Sequence, residues 1–571
     1  MRFERELFRK RSLRPVYWIF FLVFAASTSS AQLTFGGRQS AFTRADSLRG
    51  MLTPERTCYD VRWYHLDVRI DPDAQTVSGS NTIHFTTMDS SSRLQIDLFA
   101  NMTLDSVTLD GGTSLPFTRE FGAVLVMLPR ELVRGSTHDL VAHFWGKPRV
   151  APRPPWNGGF TWTKDADGNP WVCVTCQGTG ASLWWPNKDH QSDEPDSMLI
   201  SVTVPPGLED VSNGRLRRIT TLADGWSRYD WGVTYPINNY CVTVNVGKFA
   251  HFSYVDDDRD SLTLDFYVMP QNLEKARTQF AQVKPMLACF EKDFGKYPFI
   301  RDGYKLVESP HLGMEHQTAV AYGNGYRQGY AGRAGSKFGL MFDFVIVHES
   351  AHEWWGNAVT SKDLADMWIH EGFAAYAEGL YVECAFGREA MLDYINAKKY
   401  DVRNERPIIG VYNVNNEGSG DMYPKSALML HTLRNVIDND SLWFAILRGI
   451  QDRFRYTTIT TEDLVRYVND ATGTDYTYLF DQYLRHTSYP RLEVHLIVKG
   501  RSLSARYRWK AEVPGFHMPV KVTTSQGSFR FISPTAAWQS IDLGTMDPTS
   551  FKVAEELFAI DFRITTSYES Q

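Results

Sequence analysis

The sequence predicts a multidomain α+β protein: an N-terminal antiparallel β domain, a mainly helical domain in the middle and a small C-terminal β-sandwich. Three observations carry that prediction. Between Tyr59 and Lys248 apolar and polar residues alternate in short runs broken by turn residues, the two-residue period of half-buried strands. From Glu274 the apolar spacing becomes helical, and after Pro490 the alternation returns. At 571 residues the chain exceeds one ordinary core, so about two to four domains are expected. The expected divisions are residues 1–31, 32–250, 251–490 and 491–571.

The first of these divisions reads as an export signal. Arg2 to Arg14 is basic, Pro15 to Ala26 is apolar through Trp18, Ile19, Phe20, Phe21, Leu22, Val23 and Phe24, and Ser29-Ser30-Ala31 precedes Gln32. That order is the pattern of a cleavable secretory signal, and the apolar run is short for a membrane span. A periplasmic or secreted protein with no stable membrane span after cleavage is expected. Net charge is −6, and removing the six Lys/Arg and two acids of the first 31 residues leaves −10. This balance excludes nucleic acid as a partner class.

Strand alternation is clearest at Trp63 to Ile70, Ser80 to Thr87, Ala123 to Leu128, Met198 to Val204 and Tyr240 to Val246. Pro and Gly interrupt it from Lys147 to Gly159, and Asp165-Ala-Asp-Gly168 reads as a hairpin turn because it lacks the remaining ligands of a calcium loop. Cys173-Val-Thr-Cys176 has no second pair beside it, and it is assigned no chemistry. Six cysteines in the whole chain are too few for a disulfide scaffold; export permits disulfides without requiring them.

In the middle of the chain Phe280, Val283, Leu287, Phe290 and Phe294 fall at helical spacing before Gly295. A second helix is expected over Phe338 to Trp355, with Leu340, Met341, Phe344, Val345 and Ala351 as its apolar flank. Further helical stretches are expected at Ala427 to Val436 and Leu442 to Arg453. Leu492, Val494, Leu496 and Val498, then Ser528 to Ile532, supply the closing strands.

The second of these helices carries His348-Glu349-Ser350-Ala351-His352. Two histidines four apart share one helix face, so both imidazoles reach one metal ion with Glu349 beside it. A chance His-Glu-x-x-His is expected on the order of 0.02 times in such a chain. A hydrolytic zinc site uses three protein ligands and keeps a fourth position for water, and Glu371 in Trp368-Ile369-His370-Glu371-Gly372 supplies the third. A closed structural zinc site takes four Cys or His ligands and has no use for Glu349.

The string from His348 to Asn357, with Glu371 beyond it, resembles the aminopeptidase N and leukotriene-epoxide hydrolase family of gluzincin peptidases, peptidase family M1. Gly313-Met314-Glu315-His316 resembles its exopeptidase motif Gly-x-Met-Glu-Asn, and Tyr423-Pro-Lys-Ser426 resembles its Tyr-x-Lys-Gly element. The resemblance runs from about Tyr59 to the end of the chain. His316 stands in place of Asn and Ser426 in place of Gly. The resemblance implies a thermolysin-like catalytic domain with one zinc ion per chain. Most members continue into a helical domain that caps the cleft; with the sequence ending at Gln571, a more open site is expected.

The roles follow. His348, His352 and Glu371 hold zinc, and Glu349 is the general base. By resemblance Tyr423 stabilises the oxyanion, and Glu315 pairs with a free α-amine, helped by Gln177 and the Gly313-Met314 backbone. Glu378 and Asp366 are candidates to fix a ligand imidazole. The expected activity is a zinc aminopeptidase on peptides with a free amino terminus. An endopeptidase or epoxide hydrolase on the same zinc, and a non-catalytic peptide-binding module, are the alternatives. Nothing in the motifs sets oligomeric state or preferred first residue.

Overall fold

A computed structural model describes residues 42–525 and 527–569. The expected export signal lies outside them. Among the described residues the first half of the chain is β-rich and helices dominate later, a multidomain α+β architecture. No described helix is long and apolar enough to cross a membrane.

The alternating run at Trp63 to Ile70 lies in strand Tyr59–Asp71, at the middle of a seven-stranded sheet. Thr76–Thr87 pairs with it antiparallel on one side, and Ser197–Val204 pairs parallel on the other. Every second side chain of Tyr59–Asp71 enters the core, as Tyr64, Leu66, Val68 and Ile70 do. A four-stranded sheet holds Gly159–Lys164 and Pro170–Thr175, joined through Asp165 to Gly168 as the expected hairpin. Its second strand leads directly into Gln177.

One expectation for this region changes. Only Val244–Gly247 of the Tyr240 to Val246 run is strand, and Asn239–Cys241 is a 3-10 turn. Asn213 Nδ2 donates to the Cys241 carbonyl at 2.9 Å, which removes that acceptor from any ladder. Cys173 and Cys176 are buried free thiols.

Next comes a five-stranded mixed sheet in the order Ala250–Asp256, Leu262–Val268, Tyr304–Glu308, Val320–Tyr322, Gly313–Met314. Its last strand is short and leads straight into Glu315. The helical run from Glu274 is broken by a 3-10 turn at Phe280–Gln282, leaving helices Leu273–Gln279 and Val283–Phe294. Pro285 explains the break: without an N–H, and clashing with the carbonyl four residues back, it fits only the first turn of a new helix. Cys289 of that helix is disulfide-bonded to Cys384 at the end of helix Trp368–Phe386.

The expected helix from Phe338 to Trp355 is shorter, spanning Phe344–Ala351. Leu340 and Met341 are exposed and take no part in its apolar face. Asp343 is the reason. Its side chain accepts from Val345 N and Ile346 N, fixing the helix start, while Tyr322, Asn324 and Gln279 hold the same carboxylate. Val345, Ile346 and Val347 are poor helix formers, so burial of all three stabilises this segment more than propensity does. Helices Pro424–Ile437 and Asp440–Phe454 lie where expected. Toward the carboxyl end, Arg491–Lys499, Ser502–Lys510, Gln539–Gly544 and Asp561–Glu569 form a four-stranded sheet, and Val520–Ser525 pairs with Ser528–Ile532. Their inward residues join the apolar cluster of the helical region, whereas the first β-rich region has its own.

Candidate metal centre and cleft

Helix Phe344–Ala351 carries His348 and ends at His352, and both imidazoles point toward Glu371 on helix Trp368–Phe386. The Nε2 atoms of the two histidines are 3.3 Å apart, and each lies 3.4 Å from Glu371 Oε2. Three donors at zinc distances of 2.0–2.1 Å in tetrahedral directions stand about 3.3–3.4 Å apart, so this triangle has the size zinc requires. His352 Nδ1 donates to the Trp355 carbonyl at 2.8 Å, which leaves the Nε2 lone pair facing the centre. His348 Nδ1 is 2.7 Å from Glu378 Oε1 and is fixed the same way. Glu371 Oε2 is buried with no hydrogen-bond partner. A bare carboxylate oxygen facing two imidazole lone pairs fits a cation and little else.

Electrostatics agree. Burial opposes charge on His348, yet the facing carboxylates of Glu371 and Glu378 outweigh that and raise its pKa well above the usual value. For His352 burial is likewise overcome, by Glu371 and Glu315, and its pKa rises to about 9. Glu371 would be raised by burial, but the two histidines hold it below the usual carboxylate range. The acids attract positive charge to this point.

Glu378 is buried under the site. Its second oxygen accepts from Tyr394 Oη and Lys398 Nζ, each at 2.6 Å. Asp366 does something else, correcting the expectation that it fixes an imidazole. It accepts from Thr461 Oγ1 at 2.6 Å and Tyr412 Oη at 2.8 Å. Thr461 is the first residue of helix Thr461–Thr472, and its backbone N–H also points at Asp366. Asp366 therefore ties two structural elements together and touches no ligand.

Glu349 lies on the open side. Oxygen and nitrogen atoms of Glu315, Glu349 and His352 come within 4.8 Å of one another. Burial pushes Glu349 up to about 7, assisted by Glu315 and Glu371 against the pull of the histidines. Gly313 makes this approach feasible: a Cβ there would stand 2.5 Å from Glu349 Oε1. Glu315 is buried, and the Asn357 amide donates to its backbone carbonyl at 2.9 Å. Gln177 bridges the acids, with Nε2 at 2.6 Å from Glu315 Oε1 and 2.7 Å from Glu371 Oε1. Met314 is buried in the core behind this strand. His316 is buried and held neutral, its pKa pushed down to about 3 by burial and by His311, and neither ring nitrogen has a partner.

Tyr423 immediately precedes helix Pro424–Ile437, its ring stacked on His348 with centroids 6.1 Å apart. Burial, Glu371, Glu417 and Glu315 raise its pKa well above the ordinary phenol value, so it stays protonated as a donor. Gly372 lets this helix come close, since a Cβ at that position would meet Ser426 Cβ at 2.5 Å. Sequence reasoning missed Glu417, Tyr394, Lys398 and the Trp355 carbonyl. The first three act through contacts across the fold that no local pattern announces, whereas the Trp355 carbonyl is a local contact three residues beyond His352.

Residues 280–483 match the peptidase family M1 domain. Endoplasmic reticulum aminopeptidase 1 of Homo sapiens is 22% identical over 353 residues, covering 60% of this chain and 37% of that protein. Glutamyl aminopeptidase of Homo sapiens is 23% identical over 333 residues, covering 53% and 33%. The chain thus spans about a third of the length of the curated relatives it matches. An M1 zinc metallopeptidase from Deinococcus radiodurans, solved as a variant bound to a Tyr-Ser-Ala substrate, superposes with a TM-score of 0.61. It is 23% identical and covers 75% of this chain and 94% of its own, a likeness of fold.

Residues 280–483 thus form a peptidase family M1 domain. The matched M1 domain covers the ligand helix, Glu371, Glu315 and Tyr423, while Gln177 reaches the centre from the β-rich region before it.

Proposed function

We propose that this chain is an exported zinc aminopeptidase that removes the first residue from peptides with a free amino terminus. The observation that carries the reading is Glu315. Its carboxylate is buried beside the ligand triangle and linked through Gln177 to Glu371. Water activation alone has no need of an acid there, whereas a protonated α-amine does.

Zinc held by His348, His352 and Glu371, one ion per chain, would polarise the scissile carbonyl and acidify a water near neutral pH. Glu349 takes the proton of the attacking water and delivers it to the departing amine. Tyr423 donates to the oxyanion developing on the carbonyl oxygen, a charge present only near the transition state. Glu315 and Gln177 anchor the α-ammonium, so the first peptide bond alone reaches Glu349. The Gly313-Met314 edge strand runs beside the substrate backbone, and Glu378 keeps His348 in its ligating orientation.

The divisions 32–250, 251–490 and 491–571 remain our reading of the domains, the last as a small β-sandwich. Export is supported by the amino-terminal pattern and by the Cys289–Cys384 disulfide, which an oxidising compartment favours. The test is hydrolysis of a panel of aminoacyl fluorogenic amides by the protein from Gln32 onward, with and without chelator. Chelator-sensitive cleavage of the free-amine set, with N-acetylated counterparts spared, is the expected result. Cleavage of the blocked set would overturn it.

A further inference from the structure

Glu417 enters the cleft from the loop before Tyr423, and no step above uses it. Its Oε1 lies 1.3 Å from the place a Cβ on residue 178 would occupy, so the carboxylate rests directly on Gly178, the neighbour of Gln177. Gly178 has φ +65°, and its carbonyl accepts from Asn415 Nδ2 at 3.2 Å, which ties the two loops together. Helix Arg44–Gly50 braces the same pair: Arg49 donates to the Thr179 carbonyl, and the Asp46 carbonyl accepts from Asn415 N at 3.2 Å. The position of Glu417 is therefore built.

Among the described residues no hydrogen bond or ion pair reaches the Glu417 carboxylate. Gln177 is already committed to Glu315 and Glu371. Burial, then Glu371 and Glu315, push the Glu417 pKa up to about 7, and Arg406 opposes them only at a distance. An acid so placed calls for a cation from outside. That cation is not the α-amine, because the close-set groups at the centre are Glu315, Glu349, His348, His352 and Glu371, without Glu417. Glu417 rests on Gly178, one residue along from the Gln177 that contacts Glu315.

We propose that Glu417 selects peptides whose first residue carries a cationic side chain, lysine or arginine, by pairing with its ammonium or guanidinium group. This rests on the aminopeptidase reading above. It predicts that an acidic first residue is repelled, in contrast to the glutamyl residue in the names of several relatives.

The test compares lysyl, arginyl, norleucyl and glutamyl amides of one leaving group on the zinc-loaded full chain and on Glu417→Gln, Glu417→Asp and Glu417→Lys. Norleucine matches the lysine stem without its charge. Wild-type protein should prefer lysyl over norleucyl by about 10- to 100-fold in kcat/KM. Glu417→Gln should bring that ratio near unity, Glu417→Asp should keep part of it, and Glu417→Lys should favour the glutamyl amide. An unchanged ratio in Glu417→Gln, or an equal loss on all four substrates, would overturn the proposal.

Calorimetric binding of Lys-Ala-Ala and norleucyl-Ala-Ala to Glu349→Gln, with and without Glu417→Gln, separates the two claims. Preferential lysyl binding that Glu417→Gln removes, in a protein that cleaves no amide, would sustain the selectivity and defeat the catalytic reading. Cleavage without any lysyl preference would do the reverse.

Discussion

The two walls of the cleft are built differently. On the metal side the supporting groups sit on helices and are paired: His348 with Glu378, His352 with the Trp355 carbonyl, and Glu378 in turn with Tyr394 and Lys398, so that only the ligating Oε2 of Glu371 is left bare toward the centre. On the amine side the groups sit on loops and a two-residue strand, and among the described residues no hydrogen bond or ion pair reaches Glu417. A saturated wall holds geometry to a fraction of an ångström. An unsaturated wall waits for a charged guest, and the contrast assigns chemistry to the first and selection to the second.

Five variants probe that division, beginning with the largest effect. Glu349→Gln should lower kcat by about 10²- to 10⁴-fold while zinc content stays at one per chain by atomic absorption. Retained turnover would remove the general base from its role. Gly313→Ala pushes a methyl group against Glu349 and should cost about 10²-fold in kcat/KM, because misplacement near 1 Å has that price. A rate within twofold of wild type would show that the edge strand is not held where it stands.

Glu378→Gln should weaken zinc binding by about 10- to 100-fold in competitive chelator titrations. Asp366→Asn, one acid expected to act likewise and found elsewhere, should leave zinc affinity unchanged and lower thermal stability instead. Equal zinc loss in both would erase the distinction between them. Smallest in its effect on the site is Cys289→Ser with Cys384→Ser. Loss of a bridge closing 95 residues should lower unfolding free energy by about 2–4 kcal/mol in denaturant titrations, with kcat little changed.

What the sequence disclosed follows the same division. His348 and His352 were legible because a helix of 3.6 residues per turn fixes the relation of positions four apart, and Glu349 came with them. The strands around Leu66 and Leu492 were legible from their alternation. Glu378 was found because it lies two turns beyond Glu371 on one helix, whereas Asp366 was misread because its demand comes from the start of a helix at Thr461, far along the chain. The ligand helix was drawn too long because Asp343 caps it from within an apolar run that shows no break. Gln177 meets Glu371 across 194 residues, and Glu417 stands in a string of Asn and Gly that reads as a solvated loop. Neither relation has a local period.

The account turns on whether the buried acid Glu315 recognises a free amine. The direct measurement is kcat/KM for one leucyl amide and its N-acetylated form, on wild-type protein and on Glu315→Gln. The account predicts a preference for the free amine of about 10²-fold or more in wild type, shrinking severalfold or further in the variant as cleavage of the free substrate falls. Equal cleavage of free and blocked substrates by wild type, or an unaltered preference in Glu315→Gln, would contradict it.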